Sequence, residues 1–248
     1  SMKYNFRGIS QFSSVRNTDT SSNLDKLGFK SDGTNLNLRY QNNTLLMDSL
    51  FGIKYNITDR NPQKFAFHKL ETQGNQTLYQ NEKALSLAFL TASPYKDIQF
   101  SNLTLDNQKN FLNHLTGQSL TFYQRLYPLK TSSDNPSQGP QKAKVEADSF
   151  LTYASIEYEL YVQNDSQLYV NLPSLEFENE DYTDVEIITN GQVNRYTTDN
   201  VFPFFTIGHF KAGETVKIRI AFPENSTVTF QNPEFFALNL QAYQEAFE

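Results

Sequence analysis

The stretch VEIITNGQVNRYT, residues 185–197, carries the clearest structural signal in this chain of 248 residues. Its two halves are rich in residues that favour strands, and Asn190-Gly191 separates them. The pair Asn-Gly readily adopts positive φ at both central positions of a type I′ turn, whose twist matches that of antiparallel strands. The stretch therefore predicts a β-hairpin with Asn190 and Gly191 at its tip.

Alternating apolar residues extend the β pattern on both sides of this hairpin. Apolar side chains or Thr recur at every second position through residues 150–162 and again through residues 216–222. A period of two is typical of a strand with one buried face. Further strand candidates occupy residues 168–172, 201–207, 227–231 and 236–240. Residues 145–248 are therefore predicted to form an antiparallel β-sandwich of about seven strands, of a jelly-roll or carbohydrate-binding type.

The first 130 residues combine helix and strand signals. Three segments begin with a residue that can cap a helix and end at a glycine, which easily takes the left-handed conformation that closes a helix. They run from Ser22 to Gly28, from Thr44 to Gly52 and from Asp106 to Gly117. Strand candidates occupy residues 53–57, 65–70, 77–80, 88–92 and 120–126. Residues 1–130 are therefore predicted to be an α+β domain, and the whole chain to be α+β with mostly β structure.

A polar segment separates these two parts. Residues 131–144 lose the apolar periodicity and are rich in Ser, Asp, Asn, Pro, Gln and Gly. A chain of this length also exceeds the usual size of a single domain. We interpret residues 131–144 as a linker or a long exposed loop between two domains.

Composition excludes several classes of function. The net charge is −6 and no block of Lys or Arg occurs, so the electrostatic signal of a nucleic-acid-binding protein is missing. The chain contains no cysteine, which excludes disulfides, thiolate metal sites and cysteine nucleophiles. No apolar run approaches the roughly 18 to 20 residues that span a bilayer. We therefore expect no nucleic-acid partner and no membrane span within these residues.

A search for catalytic motifs finds no enzyme site. The three histidines, His68, His114 and His209, are not spaced as zinc ligands. Neither a Gly-x-Ser-x-Gly elbow nor a glycine-rich nucleotide-binding loop occurs. We therefore expect this chain to be non-catalytic and to use no cofactor and no metal.

An acidic run leaves one enzymatic alternative open. A secreted glycosidase would need two carboxylates flanking its substrate, and the densest group of carboxylates in the chain could provide them. This group consists of Glu176, Glu178, Glu180, Asp181 and Asp184. Its spacing matches no Ca²⁺-binding loop, and a solvated loop between strands is the favoured interpretation.

Aromatic residues are frequent, with 21 Phe and 14 Tyr but no Trp. Most Phe side chains are expected in strand cores, whereas exposed Tyr rings could stack on sugars. The candidate surface rings are Tyr153, Tyr161, Tyr182 and Tyr196. Tyr123 and Tyr127 are candidate glycan contacts, because they lie beside the polar linker and ligand sites favour the cleft between two domains.

Segments of the first part resemble the sequence signatures of a known family. Residues 50–55, LFGIKY, look like the signature L-L-G-V-K-Y, and residues 78–89, LYQNEKALSLAF, are similar to Y-E-N-x-x-x-L-P-x-x-F. Phe12-Ser13-Ser14 and Leu27-Gly28 precede them in the same order. Together these segments resemble the extracellular region of the YfhO-like family of bacterial multi-pass membrane proteins. The departures from the pattern are Phe51, Gln80 and Ser86.

Members of this family look like polytopic glycosyltransferases that use polyprenyl-phosphate sugars. In Gram-positive bacteria they are associated with glycosylating cell-envelope polymers such as lipoteichoic acid. The resemblance implies that this chain lies on the extracellular face of the bacterial cell membrane. It also implies that the membrane spans and the catalytic carboxylate belong to a part of the protein outside this chain.

The resemblance also carries over a set of signature positions. They are Gly52, Lys54, Tyr55, Tyr79 and Asn81. Their residue types fit structural roles as well, because Gly suits a helix end, Tyr a strand and Asn a turn. Structural roles are therefore the favoured interpretation of the signature positions.

Two functions follow as hypotheses. The first is a non-catalytic extracytoplasmic domain of a membrane glycosyltransferase, which positions a cell-envelope glycan or teichoic acid as the acceptor. The alternative is a stand-alone or anchored surface module that binds carbohydrate. Membrane spans encoded on either side of this chain would favour the first hypothesis.

Overall fold

The computed structural model describes residues 11–12, 18–29, 37–38, 43–86, 88–93, 98–131, 143–148, 153–177, 183–198 and 204–247. The described helices are α1 (Thr18–Lys26), α2 (Leu45–Leu50), α3 (Thr104–Thr116) and α4 (Leu240–Ala246). Within the described ranges, none of these helices has the length and apolar character needed to cross a membrane. Strands account for 45% and helices for 18% of the described residues, so the predicted α+β class with mostly β structure is confirmed.

The strands before residue 132 are short and pair locally or with the later sheets. They are β1 (Gln11–Phe12), β2 (Asn37–Leu38), β3 (Tyr55–Thr58), β4 (Phe67–Gln73), β5 (Gln76–Asn81), β6 (Tyr123–Leu126) and β7 (Lys130–Thr131). Strands β1 and β2 pair with each other, and β3, β5 and β4 form a three-stranded sheet in that order. All of these pairings are antiparallel.

The strands after residue 142 build the predicted sandwich. They are β8 (Ala143–Glu146), β9 (Ala154–Tyr161), β10 (Ser166–Asn171), β11 (Glu176–Phe177), β12 (Thr183–Thr189), β13 (Gln192–Thr198), β14 (Phe204–Phe210), β15 (Thr215–Phe222), β16 (Thr227–Phe230) and β17 (Glu234–Asn239). A four-stranded sheet has the order β14-β10-β17-β6, and a five-stranded sheet has the order β13-β12-β15-β9-β7. A third sheet has the order β11-β16-β8.

The sheets of the sandwich enclose one hydrophobic core. Val170 and Phe235 of the four-stranded sheet belong to the same cluster of buried side chains as Ile187 and Ile218 of the five-stranded sheet. Val228 of the third sheet joins this cluster. Burial of such apolar surface is the main term that stabilises the fold. The antiparallel β-sandwich is therefore confirmed, and the described residues after 142 contain ten strands where about seven were predicted.

The hairpin predicted from residues 185–197 is present. Thr189 pairs with Gln192, and the two residues between them have positive φ, 51° at Asn190 and 77° at Gly191. Strand β9 shows the predicted alternation, since Ala154 and Ile156 are buried while the residues that follow each of them are more exposed. Local turn chemistry and a period of two were sufficient to predict these strands.

The predicted glycine ends of three helices are confirmed, whereas two of the predicted starts are wrong. Gly28, Gly52 and Gly117 all have positive φ. Thr44 caps α2, because its side chain accepts a hydrogen bond from the Met47 amide at 3.3 Å. Ser22 and Asp106 lie inside α1 and α3, which begin at Thr18 and Thr104. Capping is only one contribution to a helix start, and α3 begins after Leu103 without any side-chain cap.

One predicted strand is absent, and the predicted linker is only partly described. Residues 88–92 are an irregular, exposed segment and do not pair with a strand. The Ala92 amide instead donates to the carbonyl of Leu115 at the end of α3. Thr131 and Ala143 lie in β7 and β8, and residues 132–142 lie outside the described residues.

The chain divides into two compact units. Unit 1 comprises Ser1–Lys54, Lys83–Thr121 and Glu245–Glu248, and unit 2 comprises Tyr55–Glu82 and Phe122–Gln244. Unit 1 therefore contains α1, α2 and α3, and unit 2 contains the sandwich together with the sheet β3-β5-β4. The division into separately folding domains at 1–130 and 145–248 stays a prediction.

Within unit 2, one buried glutamine attaches the loop between β3 and β4 to the sandwich. Gln167 of β10 is fully buried, and its amide donates to the carbonyl of Gln63 at 3.0 Å. Its side-chain oxygen accepts from the backbone amide of Phe65 at 2.9 Å. Phe65 also packs edge-on against His209 of β14 and Tyr243 of α4. These contacts hold residues 63–65 against the outer face of the four-stranded sheet.

Candidate functional site

The signature tyrosines do not meet at one site. Tyr55 of β3 pairs with Gln80 of β5, and the next residue of β3 pairs with Tyr79. Successive residues of a strand point to opposite faces, so Tyr55 and Tyr79 lie on opposite faces of the sheet β3-β5-β4. Asn81, at the end of β5, is buried, whereas Lys54 is exposed. These positions therefore do not form a single binding site in the sheet.

Gly52 has a clear structural role in unit 1. It ends α2 with φ +65°, and a Cβ atom at this position would lie 2.9 Å from the backbone oxygen of Leu85. The Leu85 amide in turn donates to the carbonyl of Ser49 at 2.9 Å. Gly52 therefore joins the segment LFGIKY to the second signature segment, residues 78–89, through a backbone contact that leaves no room for a side chain.

Tyr123 and Tyr127 belong to the edge strand β6 and to the turn that follows it. Leu126 of β6 faces the shared core, so Tyr123 and Arg125, which alternate with it, lie on the outer face of the four-stranded sheet. Tyr123 is half-buried, whereas 74% of Tyr127 is exposed. The carbon of the Arg125 guanidinium lies 5.8 Å from the centroid of the Tyr127 ring, in cation–π range.

Three polar residues continue this arrangement across the sheet. Arg125 Nη1 lies 3.1 Å from Glu234 Oε1, and Asn171 Nδ2 donates to Glu234 Oε2 at 3.0 Å. Asn171 and Glu234 are directly opposite each other on β10 and β17. We call Tyr127, Arg125, Glu234 and Asn171 the Tyr127 row. Arg125, Glu234 and Asn171 come from three strands and are joined by an ion pair and a charged hydrogen bond. Tyr127 follows the end of β6, and its ring lies beside the Arg125 guanidinium.

The Tyr127 row has the chemistry of a sugar-binding surface. An exposed ring can stack on the C–H face of a sugar, while Arg, Glu and Asn can bond to hydroxyl groups. Arg125, Glu234 and Asn171 were missed in the sequence. The spacing of Tyr123, Arg125 and Tyr127 at every second position was the one signal that could have indicated Arg125.

The other candidate rings have different surroundings. Tyr196 is half-buried and its hydroxyl donates to the carbonyl of Thr206 at 2.8 Å, while burial raises the pKa of this hydroxyl. Tyr153 is half-buried beside the guanidinium of Arg219. Tyr161 is 45% exposed, and Tyr182 lies outside the described residues. Tyr196 is therefore a structural residue, and Tyr127 is the most exposed of the described candidate rings.

The histidines lie apart from one another. His68 Nε2 is 3.2 Å from Glu82 Oε2, His114 lies half-buried on α3, and His209 contacts Phe65. Burial lowers the pKa of His209. Across the described part of the chain, no group of three or more His, Asp or Glu side chains could hold a metal ion.

The described ends of the acidic run make contacts between strands. Asp184 accepts a hydrogen bond from Thr197 at 2.7 Å, and Glu176 accepts one from Thr229 at 3.3 Å. Glu178, Glu180 and Asp181 lie outside the described residues. The glycosidase alternative therefore stays a hypothesis.

Comparison with known proteins identifies one family. A family model described as "Bacterial membrane protein YfhO" matches residues 1–248. No curated protein matches the chain.

Solved structures give only distant similarity. A family two carbohydrate esterase from Cellvibrio japonicus is similar over 48% of this chain and 31% of that chain, with 13% identity and a TM-score of 0.28. CBM35 from Cellvibrio japonicus Abf62 is similar over 49% of this chain and 89% of that chain, with 7% identity and a TM-score of 0.30. The carbohydrate-binding module CBM36 in complex with calcium and xylotriose is similar over 47% of this chain and 98% of that chain, with 12% identity and a TM-score of 0.27. This chain spans less than a third of the length of the esterase.

Proposed function

The chain belongs to the YfhO family of bacterial membrane proteins, and we propose that it is a non-catalytic extracytoplasmic domain of a membrane glycosyltransferase. In this role it lies on the extracellular face of the cell membrane. It positions a cell-envelope polymer, such as lipoteichoic acid, while a membrane part of the protein outside this chain carries out sugar transfer.

The observation that carries this proposal is the Tyr127 row. Its three polar side chains lie on one sheet face, and its exposed ring lies beside Arg125 just past the end of β6, so an extended polymer can lie across the strands and contact the ring. The Arg125–Glu234 ion pair and the Asn171–Glu234 hydrogen bond keep the polar groups in place before a ligand arrives, which reduces the ordering cost of binding. Tyr123 lies on the same face of β6 and extends the row along the strand.

Weak binding is sufficient for this role. A domain tethered beside a membrane enzyme meets its acceptor polymer at high effective concentration, so a millimolar dissociation constant for one repeat is adequate. The charge of the sandwich sets a preference among polymers. Residues 122–244 contain 8 Lys or Arg and 16 Asp or Glu, a net charge of −8. This charge favours neutral or partly cationic polymers, such as D-alanylated ones, over purely anionic chains.

Nuclear magnetic resonance titration tests this proposal. Isotope-labelled protein is titrated with teichoic-acid fragments that do or do not carry D-alanyl esters. Amide shifts are expected at Arg125, Tyr127 and Glu234, and they are expected to be larger with the D-alanylated fragments. Tyr127→Ala should remove most of the response. Tyr161→Ala, which truncates an exposed ring elsewhere on the sandwich, should leave it intact. An unchanged response in Tyr127→Ala, or no response at millimolar ligand, would leave the domain without this role.

A stand-alone or anchored surface carbohydrate-binding module is the second candidate, because the Tyr127 row supports it equally. The two functions differ in what surrounds the chain. The full-length gene distinguishes them. Many encoded hydrophobic membrane spans on either side of residues 3–248 would support the function as a domain of a glycosyltransferase. A single anchor or none supports the binding module.

A further inference from the structure

Residues 88–90 of unit 1 display apolar side chains to solvent. Leu90 is 102% exposed and Phe89 is 44% exposed, and Ala88 beside them is also exposed. We call Ala88, Phe89 and Leu90 the apolar tip. Single exposed apolar residues are normal on a protein surface, but adjacent large exposed ones indicate contact with an apolar partner.

The base of the apolar tip is attached at both ends to helices of unit 1. On one side, the Leu85 amide donates to the carbonyl of Ser49 at the end of α2. On the other side, the Ala92 amide donates to the carbonyl of Leu115 at 2.7 Å, at the end of α3. The bond from Ala92 satisfies a carbonyl in the last turn of α3, where intrahelical donors run out. The Ser49 carbonyl also accepts from the Gly52 amide at 3.2 Å, so the bond from Leu85 is a second one to the same oxygen.

Two glycines bring the backbone of the segment close to the helix ends. A Cβ atom at Gly52 would lie 2.9 Å from the Leu85 oxygen, and one at Gly117 would lie 3.1 Å from the Cβ of Ala92. The segment is thus held where Leu85 and Ala92 pass the C-terminal ends of α2 and α3, and the exposed apolar tip lies between these two attachments. This arrangement keeps the side chains of Phe89 and Leu90 outward, although burying them would lower the free energy of the isolated chain.

The charge of the two units differs in sign. Unit 1 contains 10 Lys or Arg and 8 Asp or Glu, a net charge of +2, whereas unit 2 contains 11 and 19, a net charge of −8. An anionic lipid surface attracts the first and repels the second. The apolar tip therefore lies in the unit whose charge is complementary to a bacterial bilayer.

We propose that the apolar tip inserts into the interfacial layer of an anionic lipid bilayer. A fluid lipid surface accommodates exposed apolar side chains without a matching pocket, and Phe and Leu are side chains that enter the boundary between headgroups and acyl chains. Membership of a family of membrane proteins places such a surface within reach of the chain. This inference is independent of glycan binding at the Tyr127 row.

A single tryptophan reports on insertion, because the chain contains no Trp. Leu90→Trp places the only indole at the tip, and Val193→Trp places it at an exposed apolar position of unit 2, where 53% of the native side chain is accessible. With vesicles made of equal parts of phosphatidylcholine and phosphatidylglycerol, the emission of Leu90→Trp should shift to shorter wavelength. The emission of Val193→Trp should not shift. No shift in Leu90→Trp, or equal shifts in both variants, would contradict the proposal.

Vesicle sedimentation of the native chain provides a measurement without a reporter. Phe89→Ser/Leu90→Ser should reduce binding to these vesicles by about tenfold or more, and Val193→Ser should not change it. Vesicles of phosphatidylcholine alone should bind less protein, because the attraction of unit 1 is lost. Sedimentation velocity without lipid tests the alternative that a second copy of the chain binds the apolar tip. A dimer that dissociates in Phe89→Ser/Leu90→Ser would show that a second copy of the chain, and not lipid, covers the apolar tip.

Discussion

The backbone oxygen of Leu85 lies 2.9 Å from the position that a Cβ atom on Gly52 would occupy. This contact joins two segments that are about thirty residues apart and that both resemble family signatures. It also forms one attachment of the segment that carries the apolar tip. Gly52 thus has a structural role in unit 1, where it allows the end of α2 to pack against the backbone of Leu85.

Gly52→Ala is expected to destabilise the chain by about 2 to 4 kcal/mol, because it combines strain at positive φ with a clash against backbone. Urea unfolding followed by circular dichroism measures the loss. Gly74→Ala is the matched control, since Gly74 has φ +61° with nothing within 4 Å, and it should cost about 1 kcal/mol. Equal losses in the two variants would show that the approach of Leu85 does not matter.

Gln167→Leu should destabilise unit 2 by about 2 to 3 kcal/mol. The substitution removes the hydrogen bonds that the Gln167 side chain makes to the Gln63 carbonyl and the Phe65 amide. Both backbone groups then lose their partner next to a buried side chain, which costs free energy. Gln163→Leu provides the control, because Gln163 accepts an exposed hydrogen bond from Gln124, and it should cost less than about 1 kcal/mol. Thermal unfolding of both variants distinguishes these outcomes.

Acid should weaken the fold through His209. Partial desolvation and the nearby charge of Lys211 lower the pKa of His209 below its ordinary value of 6.5, so the unfolded chain takes up this proton more readily than the folded chain. The stabilising contribution is fully present above the unfolded pKa and is lost as the pH falls from there through the lower, folded pKa. The free energy of unfolding of the native chain, measured at about pH 7.5 and about pH 5.5, should decrease. His209→Gln should show a smaller decrease, and an identical decrease would remove His209 as a cause.

Cleavage within residues 132–142 should leave two pieces that elute together from a sizing column. Strands β6 and β7 precede the cleavage point, and they pair with β17 and β9, which follow it. If residues 1–130 and 145–248 are separate domains, as the sequence predicts, each of the two pieces should also unfold cooperatively after they are separated. Calorimetry of the two pieces after separation in urea and refolding tests this. A piece without a transition would show that the two parts depend on one shared core.

Local sequence was sufficient where local chemistry decides the backbone. The Asn190-Gly191 turn and the glycine ends of α1, α2 and α3 follow from the ease with which these residues adopt positive φ. The starts of α1 and α3 were placed too late, because a cap contributes too little free energy to outweigh the rest of the helix. The strand predicted at residues 88–92 failed because a strand needs a neighbouring strand, and there the backbone bonds to the end of α3.

The sequence by itself determined the α+β class, most of the sandwich strands, the hairpin and the family, since these depend on periodicity, turn residues or short motifs. It did not predict the short strands β8 and β11. Only the tertiary structure decided the Tyr127 row, because Arg125, Asn171 and Glu234 come from strands whose neighbours cannot be read from local patterns. It also decided that Tyr55 and Tyr79 face opposite ways and that Gly52 meets Leu85. Pairing between distant strands and helices depends on how all apolar faces are buried together, and that is a property of the whole chain.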